Sequence, residues 1–184
     1  MAKRPLVQGV LRIIPINAIN AEFVDRLALC LEERFLLTAR IERMLSVPRS
    51  ALNTTRKQLF AGALMNRVAR ALPEEDGVML ALTDYDLYKT SSRFVFGDAD
   101  EQQRVAAISL HRLRREYYGE EPDLNALFQR TLKECVHELG HVMGLKHCFN
   151  ARCAMYYSNS IFETDNKMSH FCEVCDKRIS RTRH

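Results

Sequence analysis

The 184-residue chain has no apolar stretch long enough to cross a bilayer. A membrane helix needs about 20 predominantly apolar residues. The nearest approach, residues 6–16, is interrupted by Gln8, Gly9, Arg12 and Pro15 and carries no cleavage-site pattern. The expectation is a cytoplasmic protein with no membrane partner. Internal repeats, low-complexity tracts and Gly/Ser linkers are also missing, so residues 1–184 read as a single domain. A strong charge bias is missing too: the formal net charge is only +4. That does not point to nucleic acid, and the densest basic stretch, residues 177–184, reads as a solvated tail. With 47% hydrophobic and 27% charged residues, wholesale disorder is excluded.

What the chain does have is concentrated near its end. Four of its six cysteines fall between residues 148 and 175, and four of its six histidines between 137 and 170. Six cysteines would suit a disulfide framework in a small secreted protein. In the reducing compartment expected here, such clustering points to metal instead. Cys30 and Cys135 sit on apolar helical stripes and read as small core residues.

Upstream, residues 6–14 are β-rich and read as a first strand. Phe23, Val24, Leu27, Cys30, Leu31 and Phe35 make a helical stripe over residues 21–35. Residues 40–47 alternate as a second strand, stopped by Pro48, and residues 54–72 return to a helical period that Pro73 ends. Three short strands are expected at 78–83, 93–96 and 105–110, the first buried on both faces. Asp123 is placed to cap a long helix with an apolar face running from Leu124 to Met143, and Gly144 is placed to end it. Beyond Gly144 periodicity fades and the remainder reads as irregular. The order predicts an α/β (α+β) layout with a twisted sheet and covering helices.

The long helix closes on His137-Glu138-Leu139-Gly140-His141-Val142-Met143-Gly144-Leu145-Lys146-His147. Residues four apart on a helix share a face, with Cβ atoms roughly 5–6 Å apart. His137 and His141 can therefore aim ring nitrogens at one zinc, at about 2.0–2.1 Å each. A third ligand six residues after His141 could not reach that ion from a continuing helix. Gly144 resolves this, because glycine takes the left-handed conformation that turns the chain sharply. His147 then returns to the metal, and the three nitrogens leave a fourth position open, as in catalytic rather than structural zinc sites. Glu138 reaches the water in that position without ligating the metal, accepting its proton and returning it to the leaving amine. With this composition the five fixed residues would recur by chance on the order of once in 10⁵ chains.

Cys148 and Cys153, with Cys172 and Cys175 in a Cys-x-x-Cys pair, fit a closed tetrahedral Cys₄ zinc site that pins a tail poor in apolar residues. Four free thiols or two disulfides are the alternatives. His170, two residues before Cys172, is expected to face solvent. The cofactors expected are about two zinc ions per chain, one catalytic and one structural.

These residues resemble the archaemetzincins, a branch of the metzincin clan of zinc peptidases. The resemblance rests on the zinc motif followed by Cys148, Cys153, Met155, Cys172 and Cys175. It extends upstream to Leu82-Thr83-Asp84-Tyr85-Asp86-Leu87-Tyr88 and Phe94-Val95-Phe96-Gly97, and so covers most of the chain. It implies a metzincin-like zincin fold, with a mixed sheet and helices over a cleft (residues 1–147) and a small lower lobe (148–184) bearing the structural zinc. By the same resemblance Phe94 to Gly97 lie on the sheet edge, where a peptide binds by adding a strand. Met155 is then the methionine of the turn beneath the zinc, a floor for the ligands that does not bind metal. Sixteen residues separate Met155 from Cys172, one fewer than the family's pattern, so the path of that loop is not carried over. Tyr157 occupies the offset from which some metzincins contact the zinc or the oxyanion, the alternative being a packed aromatic.

Three function classes compete. A zinc metallopeptidase acting on a peptide or protein substrate leads. A zinc-bearing peptide-binding protein of low activity would have no need of Glu138 beside the open zinc position. A nucleic-acid-binding zinc module would need aromatic and basic residues displayed around the cysteines, and Phe149, Arg152 and Phe171 are a thin set. The substrate itself is not legible, because cleft loops set specificity.

Overall fold

A computed structural model describes residues 9–71 and 77–182. Residues 6–8 of the expected first strand, the expected helix end at 72 with Pro73, and residues 183–184 of the basic tail lie outside the described residues.

Strand β1 (Val10–Ile16), helix α1 (Ala21–Phe35) and strand β2 (Thr38–Ile41) form a β-α-β unit with β1 and β2 parallel. Strand β3 (Leu52–Asn53) and strand β4 (Gln58–Phe60) precede helix α2 (Ala61–Ala71). Five strands follow: β5 (Gly77–Thr83), β6 (Asp86–Lys89), β7 (Ser92–Val95), β8 (Gly97–Asp100) and β9 (Val105–Ser109). The main sheet has the order β2-β1-β5-β9-β8, parallel except for β8, which runs antiparallel to β9 at the edge. Strand β5 lies between β1 and β9, as its near-continuous apolar run requires for burial on both faces.

Side chains alternate between two cores. Leu11, Ile13, Val78, Leu80, Leu82, Ala106 and Ile108 pack with α1 and the long helix α3 (Leu124–Val142). Ile14, Ile16, Ala81, Val105 and Ala107 face the other way, onto Leu64 and Val68 of α2. The sheet is thus covered on both sides, the arrangement expected of mixed α/β sequences.

Three expectations need correction. The helical period over residues 54–72 does not give one helix: α2 starts at Ala61, because Gln58–Phe60 is recruited as β4, pairing with β6 and β3 in a second sheet of order β3-β4-β6-β7. Residues 40–47 do not form one strand, since β2 covers Thr38–Ile41 and only Leu45 rejoins the sheet, as an isolated bridge to Ile16. The tail is less irregular than expected, containing helix α4 (Ile161–Asn166), with a Ser160/Glu163 capping box, and helix α5 (Glu173–Thr182). Among the described residues no helix is long and apolar enough to cross a membrane.

Candidate active site

Helix α3 begins where Asp123 accepts a hydrogen bond from the Ala126 N–H at 2.9 Å. It ends at Gly144, with φ of 86°. There the Leu145 N–H donates to the Gly140 carbonyl and the Gly144 N–H to the His141 carbonyl, both at 2.9 Å. This paired 6→1 and 5→2 closure is the Schellman motif, which turns the chain back on itself. His147 is returned to its two predecessors: His141 Nε2 lies 3.1 Å from His137 Nε2 and 3.2 Å from His147 Nε2.

Those distances test whether the site suits zinc. Corners of a tetrahedron with bonds of about 2.0–2.1 Å lie roughly 3.3 Å apart. His137 Nδ1 is 2.7 Å from the Ala154 carbonyl and His141 Nδ1 2.8 Å from the Leu145 carbonyl. A carbonyl only accepts, so each Nδ1 carries the proton and each Nε2 presents a lone pair. Lone pairs this close repel unless a cation lies among them. Burial also lowers the proton affinity of all three imidazoles, His137 most, which keeps them neutral as ligands. The residues fit the metal.

Glu138 is 6% exposed and shares the cleft with the histidines. Burial, aided by the nearby charges of Glu134 and Asp98, pushes its carboxyl up to about 8. Close approach on both sides defines its place. A Cβ at Gly97 on the edge strand would stand 2.6 Å from Glu138 Cγ, so only glycine lets the strand pass so near. On the helix, a Cβ at Gly140 would overlap Met155 Sδ. The missing side chain of Gly140 is the space that the fully buried Met155 fills beneath the helix.

The tail's cysteines also converge. All four Sγ atoms of Cys148, Cys153, Cys172 and Cys175 lie within 4.8 Å of one another, with Cys148 and Cys172 3.8 Å apart. Zn–S bonds of about 2.3 Å place tetrahedral corners roughly 3.8 Å apart. All six cysteines are free thiols, so the disulfide alternative is not what the chain adopts. Against the effect of burial, the Cys175 N–H and the neighbouring thiols hold Cys172 at about 7. Between the clusters runs the Met155 turn: Ala154 offers its carbonyl to His137, and Met155 accepts from the Cys148 N–H at 2.9 Å. His170 is exposed and outside the cluster, its carbonyl accepting from the Ala154 N–H. Cys135 is buried and Cys30 half-buried, both in the core region.

The cleft, about 670 Å³, is bounded by Phe94 to Ala99 on one side and by α3, His147 and Tyr157 on the other. Two sheet edges line it, β7 of the second sheet and β8 (Gly97–Asp100) of the main one, so Phe94 to Gly97 run along the cleft from one edge strand to the other. Tyr157 is 49% exposed and its ring centroid lies 4.7 Å from that of His147. Deeper in, Glu134 meets Lys167, whose Nζ is 3.0 Å from Glu134 Oε1 with its side chain fully buried. Among the described residues Lys167 Nζ makes no aligned hydrogen bond, so the pair is coulombic. Sequence reasoning passed over Glu134 and Lys167, and gave Gly97 and Gly140 no packing role of their own. Glu134 carried one signal: an acid on the buried face of a helix, one turn before Glu138.

A mixed sheet whose edge overhangs a helix bearing His-Glu-x-x-His, above a methionine turn, defines the metzincin class of metal-dependent peptidases. The model of Peptidase family M54 matches residues 18–181. Archaemetzincin from Thermococcus kodakarensis is 41% identical over 134 residues, 72% of each chain. Archaemetzincin from Methanocaldococcus jannaschii is 36% identical over 165 residues, 90% of this chain and 89% of that one. The crystal structure of archaemetzincin from Methanopyrus kandleri matches with a TM-score of 0.82 at 31% identity, covering 99% of this chain and 98% of that one. The chain belongs to peptidase family M54, the archaemetzincins, and is a zinc metallopeptidase. Family membership disfavours the two non-catalytic readings.

Proposed function

We propose that His137, His141 and His147 hold the catalytic zinc, that Glu138 is the general base, and that Cys148, Cys153, Cys172 and Cys175 hold a second, structural zinc. The observation that carries this is the convergence of three Nε2 atoms, two of them on rings whose Nδ1 faces a carbonyl, beside a buried Glu138 in an open cleft. The chain acts as one catalytic domain, with the described residues up to 147 forming the upper lobe and those from 148 the lower one. Six cysteines, none paired in a disulfide, support a reducing, cytoplasmic setting. Phe171 is half-buried with its ring centroid 6.1 Å from that of Phe35, which leaves Phe149 and Arg152 as a thin set for a nucleic-acid partner.

Zinc, when bound, supplies Lewis acidity toward the scissile carbonyl and the attacking water. Glu138 takes the water's proton and delivers it to the amine as it leaves, and its raised proton affinity suits both halves of that transfer. The carbonyls of Ala154 and Leu145 hold the imidazoles in one tautomer throughout. A peptide main chain adds to β8, the outer strand of the main sheet, which aligns its carbonyl above Glu138. Tyr157 lines the cleft with its ring against that of His147, which supports a packing role first and an oxyanion contact as the alternative. An unchanged turnover in Tyr157→Phe leaves it a packing role.

The test pairs metal analysis with cleavage of a peptide library. About two zinc ions per chain are expected. Products should form with wild type but not with Glu138→Ala, whose zinc content should be unchanged. Cleavage that survives loss of Glu138 removes it as the base.

A further inference from the structure

Beside the metal centre the cleft wall holds polar groups that the hydrolytic step leaves unused. Glu134 is 3% exposed yet lines the cleft, one helical turn before Glu138. Its Oε1 accepts from Thr164 Oγ1 at 2.8 Å and faces Lys167 Nζ at 3.0 Å. Its other oxygen, Oε2, has no hydrogen-bond partner among the described residues and is not one of the fully enclosed unpartnered atoms, so it keeps access to the cleft. Ser158, next to Tyr157 on the same cleft, has a buried hydroxyl oxygen that likewise lacks a partner among the described residues. Buried polar groups are costly when unpaired and are normally satisfied. A wall with an unused acceptor and an unused hydroxyl is built to be completed by what enters the cleft.

We propose that Glu134 and Ser158 form a specificity subsite for a substrate residue flanking the scissile bond, and that the residue it selects bears a side-chain amide, glutamine or asparagine. This rests on the peptidase reading of the same cleft. An amide offers N–H donors to Glu134 Oε2 and a carbonyl to the Ser158 hydroxyl, so one side chain satisfies both. Charge narrows the choice. Lys167 already neutralises Glu134 at depth, so the subsite needs no second cation. A carboxylate would face Glu134, Glu138 and Asp98, while Lys89 is engaged by Asp98 at 3.2 Å and Lys146 lies 3.7 Å from Glu101. A leucine would leave both polar groups buried and unpaired.

The experiment is a peptide panel in which each residue flanking the cleaved bond is varied in turn among Gln, Asn, Glu, Lys and Leu. At one of the two positions wild type should favour Gln or Asn over Glu and Leu by roughly ten- to hundred-fold in kcat/KM. Ser158→Ala should lower that ratio. Glu134→Leu combined with Lys167→Met, which strands no lone buried charge, should bring it toward one. Calorimetry with the zinc-loaded Glu138→Ala protein should rank the uncleaved peptides in the same order. Equal handling of Gln and Leu, or a preference for Lys over Gln, overturns the proposal, as does an amide preference that survives both variants. If wild type cleaves no peptide at all, the peptidase reading fails, and calorimetry still decides whether the subsite selects amides.

Discussion

At the scale of single residues the site is organised by what side chains leave room for. His137 is aimed by a carbonyl from residue 154, seventeen positions along the chain. Glu138 is approached by a strand through the absent Cβ of Gly97, and Met155 occupies the absent Cβ of Gly140. Two predictions belong here. Gly140→Ala should force Met155 from beneath the helix and, with it, the Ala154 carbonyl. Zinc affinity should fall roughly 10–100-fold in a chelator competition, with the far-ultraviolet circular dichroism of wild type retained. Gly97→Ala acts on the carboxylate instead: kcat should drop while zinc content stays at the wild-type level. Loss of zinc from Gly97→Ala would show that the edge strand supports the ligands rather than Glu138.

At the scale of elements, α3 carries the chemistry, and its two ends set its register. The Asp123 carboxyl is held below its ordinary value of 3.8, chiefly by the Ala126 N–H it accepts from. A depressed folded-state value means that this contribution to stability is fully present above 3.8 and is lost as pH falls through the lower folded value. Asp123→Asn keeps an N-cap side chain but cannot titrate. The gap in urea midpoint between wild type and this variant should therefore hold constant from neutral pH down to about 5 and change only below 3.8. A gap that changes across neutral pH would assign it to another group. In its middle, Arg130 grips Asp165 of α4 through two hydrogen bonds of 2.7 Å and also donates to the Leu113 carbonyl. Arg130→Lys cannot reproduce that fork. It should cost about 1–3 kcal/mol in denaturant unfolding.

Across the whole molecule the histidine and cysteine clusters are one construction. Cys153 precedes the Ala154 that orients His137, and the Cys172 N–H donates to Cys153 Sγ at 3.2 Å. Cys148 immediately follows His147. On the proposed assignment, Cys172→Ser should lose the structural zinc and also weaken the catalytic one, seen as release of more than one zinc equivalent under mild chelation. Retention of full activity after loss of the second metal would show the lobes to be independent.

The residues that could be read from sequence are those whose geometry is local. His137 and His141 share a helix face by periodicity alone, Gly144 declares the turn that returns His147, and the cysteine spacing announces a second cluster. Asp123 and the buried run of β5 are legible for the same reason. Met155 had meaning only through the family resemblance. What the tertiary structure decided depends on contacts between distant segments. Gln58–Phe60 leave their helical period because β6, near residue 87, offers ladder hydrogen bonds. Gly97 and Gly140 matter only because Glu138 and Met155 are folded against them, and Glu134 meets Thr164 across thirty residues. A metal centre is written in sequence because its ligands repeat at helical and loop spacings. The cleft that chooses a substrate is written in packing, which no local period encodes.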